Sequence, residues 1–286
     1  LVLSTDPAVS EAASQEPAAG AKPASPAAGA VAKASQPDEE NEGQLVLAEP
    51  DFSVVNLPTT LRLPRHQLSF RLTHRFLANL RQNSFSDNLD DLFGLDNGAI
   101  IGFEFRFAPI RRLQTVVYRN NLSKTFQFSA QYDAVRQGGR RPVSLSPIVS
   151  IEGTNNFKSS SPGSRSPAVG AVVSRTFGTR LAVYATPVWV HDTLVANSGH
   201  RDTFFVGLAA RARIGAKVYV VGEVSPRVSG YAPGRPEFAF GIERRAGGHM
   251  FLLTFTNSLA STFGQTARGG FPDTIYMGFN MSRKFF

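Results

Sequence analysis

Ile275-Tyr276-Met277-Gly278-Phe279-Asn280-Met281-Ser282-Arg283-Lys284-Phe285-Phe286 is the stretch on which the reading of the fold turns. Ile275, Met277, Phe279 and Met281 share one parity; Tyr276, Gly278, Asn280, Ser282 and Lys284 share the other. Successive side chains of a strand point to opposite faces, so this is a strand with one apolar and one polar side. Apolar-out, polar-in alternation ending on an aromatic residue fits the closing strand of a barrel in lipid better than a strand of a soluble sandwich.

The pattern repeats upstream. Leu68, Phe70, Leu72 and Phe76 oppose Ser69, Arg71, Thr73 and Arg75, and Ile101, Phe103, Phe105 and Phe107 oppose Gly102, Glu104 and Arg106. Phe126, Phe128, Ala130 and Tyr132 oppose Gln127, Ser129, Gln131 and Asp133. Phe204, Val206, Leu208 and Ala210 oppose Gly207, Ala209, Arg211 and Arg213. About twelve such runs fit the chain after Gln67, as in a mid-sized barrel. Two of them, Ala168–Phe177 and Leu181–His191, are apolar on both parities and give no register. Short links such as Gly178-Thr179 and Gly247-Gly248 alternate with longer ones such as 79–97 and 259–272. Short periplasmic turns and long outer loops produce this alternation, and an even strand count places both termini in the periplasm. The expected fold is all-β: a transmembrane antiparallel β-barrel of about twelve strands in the bacterial outer membrane.

Composition agrees. Of 286 residues, 23 are Phe and none is Cys, which removes disulfides, thiolate metal sites and cysteine catalysis. No apolar run reaches the roughly 18 residues a membrane-spanning helix needs. Residues 1–51 contain two basic side chains (Lys22, Lys33) against nine acidic ones, a net of −7, so with a total of +8 the remainder carries +15. The Ala/Pro/Glu-rich stretch 1–51 has too few apolar groups to offset its ordering entropy and reads as a disordered periplasmic arm. Residues 52–286 are then the barrel. The partners expected are outer-membrane lipid and lipopolysaccharide, with a periplasmic protein or peptidoglycan open to contact through 1–51. The basic body lacks a recognition helix, a zinc-finger spacing or a clustered basic stripe, so nucleic acid is not an expected partner.

Val54-Val55-Asn56-Leu57-Pro58-Thr59-Thr60, Leu63-Pro64, His74-Arg75-Phe76, Gly94-Leu95-Asp96-Asn97-Gly98, Gly247-Gly248-His249-Met250-Phe251 and Gly278-Phe279-Asn280-Met281-Ser282-Arg283 are distributed over the whole body. Together they resemble an uncharacterised family of bacterial outer-membrane β-barrel proteins, over about residues 52–286. The resemblance implies the fold and brings no activity, ligand or catalytic residue.

Facing the apolar parity toward lipid sends Arg71, Arg75, Glu104, Arg106, Asp133, Glu152, Arg211, Arg213, Glu223, Glu237, Glu243 and Arg245 into the lumen. An Arg or Lys on lipid at the bilayer midplane costs about 2–4 kcal/mol, which enforces the alternation. These groups are candidate pore-lining residues of a narrow passage for small polar or anionic solutes. The alternative is a salt-bridged filling in a non-conducting barrel that anchors or assembles with periplasmic or surface partners. A hydrolase would need a Ser beside an oriented His, and neither Gly-x-Ser-x-Gly nor a suitable spacing around His66, His74, His191, His200 or His249 is present, so no enzyme is expected. His191, Asp192, His200 and Asp202, and the run Asp87-Asn88-Leu89-Asp90-Asp91, have no zincin or EF-hand spacing; neither a metal nor another cofactor is expected.

Overall fold

The computed structural model describes residues 46–95, 98–193 and 201–285. Residues 1–45, which include most of the expected arm, lie outside the described residues.

Alternation does build a closed antiparallel barrel of 12 strands. They are β1 (Leu68–Phe76), β2 (Ala99–Ile110), β3 (Leu113–Asn120), β4 (Phe126–Tyr132), β5 (Ser144–Gly153), β6 (Arg165–Phe177), β7 (Leu181–Val190), β8 (Thr203–Arg213), β9 (Val218–Ser225, continued by Arg227–Ser229), β10 (Glu237–Ala246), β11 (His249–Thr256) and β12 (Tyr276–Phe285). Each strand pairs with its neighbour in sequence, and β1 closes on β12 with Leu68 opposite Phe285 and Arg75 opposite Gly278. Closure leaves no free sheet edge, which a bilayer requires. Phe103, Phe105, Phe107, Phe128, Phe240 and Phe251 are exposed on the outer surface, each 40–50 %. Among the described residues no helix is long and apolar enough to cross a membrane.

Most long connections lie at one end and most short ones at the other, the β3–β4 link (121–125) and the β4–β5 link (133–143) departing from this. β1 begins and β12 ends at the short-turn end, so both chain ends of the barrel lie there. Arg112 takes a left-handed φ of 69° in the β2–β3 turn, as so tight a reversal demands.

The interior is not an empty channel. Residues 46–66 enter from the short-turn end and double back as a hairpin. Its stem joins Ser53 to Pro58 as an antiparallel bridge, the Thr59 amide donates to the Phe52 carbonyl, and the Val54 amide donates to the Leu57 carbonyl across the tip. Glu49 and Asp51 of this segment are buried. From the other end the β11–β12 connection also folds inward, carrying a short helix, α1 (Phe263–Ala267), whose residues are all buried.

These two inserts explain the strands that gave no register. In β6 and β7 the inward residues include Ala168, Val172, Ala182, Tyr184, Val188 and Val190. They form one cluster with Val54, Val55 and Leu57 of the hairpin and Phe263 and Ala267 of α1. The inner wall is apolar there because it covers apolar inserts. A second cluster of Phe52, Leu61, Leu63 and Ala108 seals the short-turn end.

Candidate functional site

The charged interior is built by the strand alternation itself. Arg71, Arg75, Glu104, Arg106, Asp133, Glu152, Arg211, Glu223, Glu237 and Glu243 are all buried. Arg213 and Arg245 are only half-buried, at the short-turn rim, where Arg213 donates to the Ala216 carbonyl at 3.3 Å.

Three groupings emerge. On β1 and β2, Glu104 accepts from Arg71 Nη2 at 2.9 Å and from Arg106 Nη2 at 3.1 Å. On β8 and β10, Arg211 makes a bidentate pair with Glu243, Nε at 2.7 Å and Nη2 at 2.8 Å. Fork-on-fork geometry makes such a pair strong and directional. The third grouping, Arg75, Glu223 and Glu237, is not closed on itself: Arg75 has no ion pair among the described residues and is 1 % exposed.

What occupies that third grouping is the hairpin tip. The Glu223 carboxylate accepts the amides of Val55 at 3.0 Å, Asn56 at 2.8 Å and Leu57 at 3.1 Å. The Asn56 side chain stands between the unpaired charges: its Nδ2 donates to Glu237 Oε1 at 2.8 Å, while its Oδ1 accepts from Arg75 Nη2 at 3.2 Å. The Val55 carbonyl accepts from Arg71 Nη1 at 2.9 Å and Asn280 Nδ2 at 3.1 Å, and the Ser53 carbonyl accepts from Arg211 Nη2 at 2.6 Å. Leu57 fills a notch at Gly207, where a Cβ would lie 2.6 Å from Leu57 Cδ2. Lower in the stem, Gln114 and Gln131 donate to the carbonyls of Leu61 and Thr59, and the Phe52 ring lies under both the Arg106 guanidinium and the Lys284 ammonium. Backbone groups buried away from water need partners, and the wall supplies them one by one.

The loop insert is held in the same way. Glu152 accepts the Gly264 amide at 2.9 Å, and Gly264 has no room for a side chain because a Cβ there would overlap that carboxylate. Ser261 takes bonds from Tyr118 and Asn120, and Arg268 donates to the Gly163 carbonyl. The inserts meet at Glu237, which interacts with Asn56 and with the Thr266 side chain.

A vestibule of about 200 Å³ at the long-loop end is lined by Leu122, Thr125, Ser258, Gln265 and Arg268. One of about 180 Å³ at the short-turn end is lined by Val46, Glu49, Arg62, Asp133 and Gln137. Between them lies a cavity of about 40 Å³ bounded by Asn56, Arg71, Glu104, Tyr118 and Phe263. That is room for about three waters.

The histidines stand apart. His74 stacks on Phe279 (ring centroids 4.8 Å apart) on the outer face, and His249 stacks on Phe251. His191 bonds Asp202 at 2.7 Å at the long-loop end, and His200 lies outside the described residues. Asp87 serves a capping box with Ser84. Among the described residues no three His, Asp or Glu side chains converge as metal ligands would.

Sequence reading missed Val55, Asn56, Leu57, Asn280, Ser261 and Gly264 as site residues. One signal was available: two apolar inner faces need an apolar occupant, and Val54-Val55-Asn56-Leu57-Pro58 is the apolar segment that precedes β1.

A twelve-stranded barrel with an aromatic outer surface and a charged, filled interior defines an integral β-barrel of the outer membrane. The chain belongs to the family described as "Membrane bound beta barrel domain (DUF5777)", whose model matches residues 51–285. Among solved structures, the KdgM porin superposes with a TM-score of 0.50 at 8% identity, covering 77% of this chain and 99% of that one. The NanC porin gives 0.49 at 7% identity, covering 77% and 100%. A mutant of the Rh. blastica porin gives 0.35 at 14% identity, covering 65% and 55%. The first likeness bears on fold. No curated protein sequence matches the chain.

Proposed function

We propose that the protein is a non-catalytic, gated pore for small polar or anionic solutes, shut in this conformation by the 52–59 hairpin and by the loop carrying α1. One observation carries the reading. At mid-barrel Glu223, Arg71 and Arg211 bond the hairpin's amides and carbonyls, and the Asn56 side chain stands between Arg75 and Glu237. In a permanent core, well-packed apolar residues would be at least as stable as such groups. Around a passage that hydrates when the hairpin leaves, charged groups are favourable in both states. Arg71, Arg75, Arg106 and Arg211 then line the opened lumen beside Glu104, Asp133, Glu152, Glu223, Glu237 and Glu243, so a small polar solute meets a wall of both signs, and anions are drawn to the side where Arg71 and Arg106 stand together. Burial of Val54, Val55 and Leu57, each about 1.5–3 kcal/mol, keeps the hairpin seated, so openings at rest are rare.

Planar-bilayer recording of the full chain beside Asn56→Ala, which removes both side-chain links to Arg75 and Glu237, tests this. Rare anion-selective openings, made frequent by the substitution, support the pore. Silence from both chains, with each barrel folded and heat-modifiable on gels, supports the second reading, a non-conducting anchor. The apolar inner wall of β6 and β7 favours that reading, because it would meet water if the hairpin withdrew. The short-turn end, where residue 46 enters and β12 finishes, faces the periplasm in either case.

A further inference from the structure

Seen from the wall, the hairpin tip is a bound peptide. Glu223 receives three successive amides, Arg71 and Asn280 receive one carbonyl, and Gly207 offers a notch to a leucine side chain. Arg75 and Glu237 together read one carboxamide, the first giving a hydrogen bond to its oxygen and the second taking one from its nitrogen. That last pairing is selective. An Asp at the tip would lose the donor that Glu237 uses and set two carboxylates against each other, whereas an apolar residue would leave Arg75 and Glu237 both unmatched. The site also has unused valence: Arg71 Nε, Arg75 Nε and Glu237 Oε2 are buried with no hydrogen-bond partner among the described residues.

We infer that this wall is a binding site for short peptides that present an Asn carboxamide followed by Leu, and that the hairpin tip is its resident ligand in cis. A peptide binding in trans takes the tip's bonds one for one and unseats the hairpin. On the pore reading, on which this inference rests for its consequence, such a peptide opens the channel. Occupancy of the site itself is independent of conduction, so the two can fail separately. A tethered ligand competes at an effective concentration on the order of millimolar, so the free peptide acts in that range.

The test uses the full chain in lipid nanodiscs with acetyl-Val-Val-Asn-Leu-Pro-amide as the probe, read by amide hydrogen exchange over residues 52–61. At saturating peptide, exchange of the Val55, Asn56 and Leu57 amides should accelerate at least tenfold or so, and in Asn56→Ala the half-maximal concentration should fall by about tenfold. The same peptide with Asp in place of Asn should do neither. Glu237→Gln should remove the preference for the Asn peptide over the Asp peptide. Unchanged exchange in both the parent chain and Asn56→Ala up to the solubility limit would overturn the inference, as would equal action of the two peptides on the parent chain. Accelerated exchange without conductance would uphold the site and contradict the pore.

Discussion

Glu223→Gln is the sharpest perturbation of the hairpin. The carboxylate accepts three backbone amides, Oε2 from Val55 and Leu57 and Oε1 from Asn56. A glutamine of the same shape keeps one acceptor oxygen. With that oxygen toward Val55 and Leu57, its NH₂ group faces the Asn56 amide, donor against donor. The change removes the charge from two bonds and abolishes the third. Hydrogen bonds to a charged group contribute about 1.5–3 kcal/mol and neutral ones about 1, so two bonds lose at least about 0.5 each and the third at least about 1.5, and seating of the tip should weaken by at least about 2.5 kcal/mol. Because 1.4 kcal/mol is tenfold, that is on the order of a hundredfold in the fraction unseated. Hydrogen exchange of the 54–57 amides measures the fraction directly, with strand amides of β1 and β12 as the internal control. Acceleration near a hundredfold at the tip alone is expected. Acceleration spread equally over the barrel, or none, would refute the idea that the tip opens as a local unit.

Other substitutions follow from the same wall. Arg211→Met should destabilise the barrel by about 3–5 kcal/mol in urea titration of the heat-modifiable form, because it leaves Glu243 buried without its bidentate partner. Arg75→Met removes a buried cation that has no ion pair among the described residues, so the global urea midpoint should stay near the parent's while exchange at Asn56 rises. Gly264→Ala cannot be seated against Glu152, and limited proteolysis within 257–275 should become faster while the barrel stays intact. In opened channels, Arg106→Gln should move the reversal potential in a salt gradient toward cation preference.

The barrel was legible because lipid is an unforgiving solvent: every outward charge is costly, so Phe103, Phe105 and Phe107 declare one face and Glu104 and Arg106 the other. The same rule identified the inward charges. It could not say what they touch, since alternation is blind to whatever fills the lumen. Arg71 could face water or a peptide carbonyl with no change in strand pattern. Asn56 and Leu57 were hidden for a related reason. A hairpin whose amides are satisfied by side chains 166 to 168 positions away has no local periodicity to betray it. Its trace was indirect, in β6 and β7. Their inward Val172, Ala182 and Val188 looked like a failure of alternation and were the imprint of Val54, Val55 and Leu57. Glu49 and Asp51 look like members of an acidic arm by composition, and what composition cannot show is that they bond Thr60 and Ser282 inside the barrel.

The most direct test is to lock the hairpin. A Cβ built at Gly207 would lie 3.2 Å from Leu57 Cγ, close to the roughly 3 Å between a Cβ and its partner sulfur in a disulfide. The chain has no cysteine of its own, so Leu57→Cys with Gly207→Cys can form one intramolecular bond only. Introduced together with Glu223→Gln and recorded in a planar bilayer, the oxidised chain should be silent and should begin to open when reductant is added. Equal conductance before and after reduction would show that the hairpin is not the gate, and silence in both states from a folded barrel would show that there is no pore to gate.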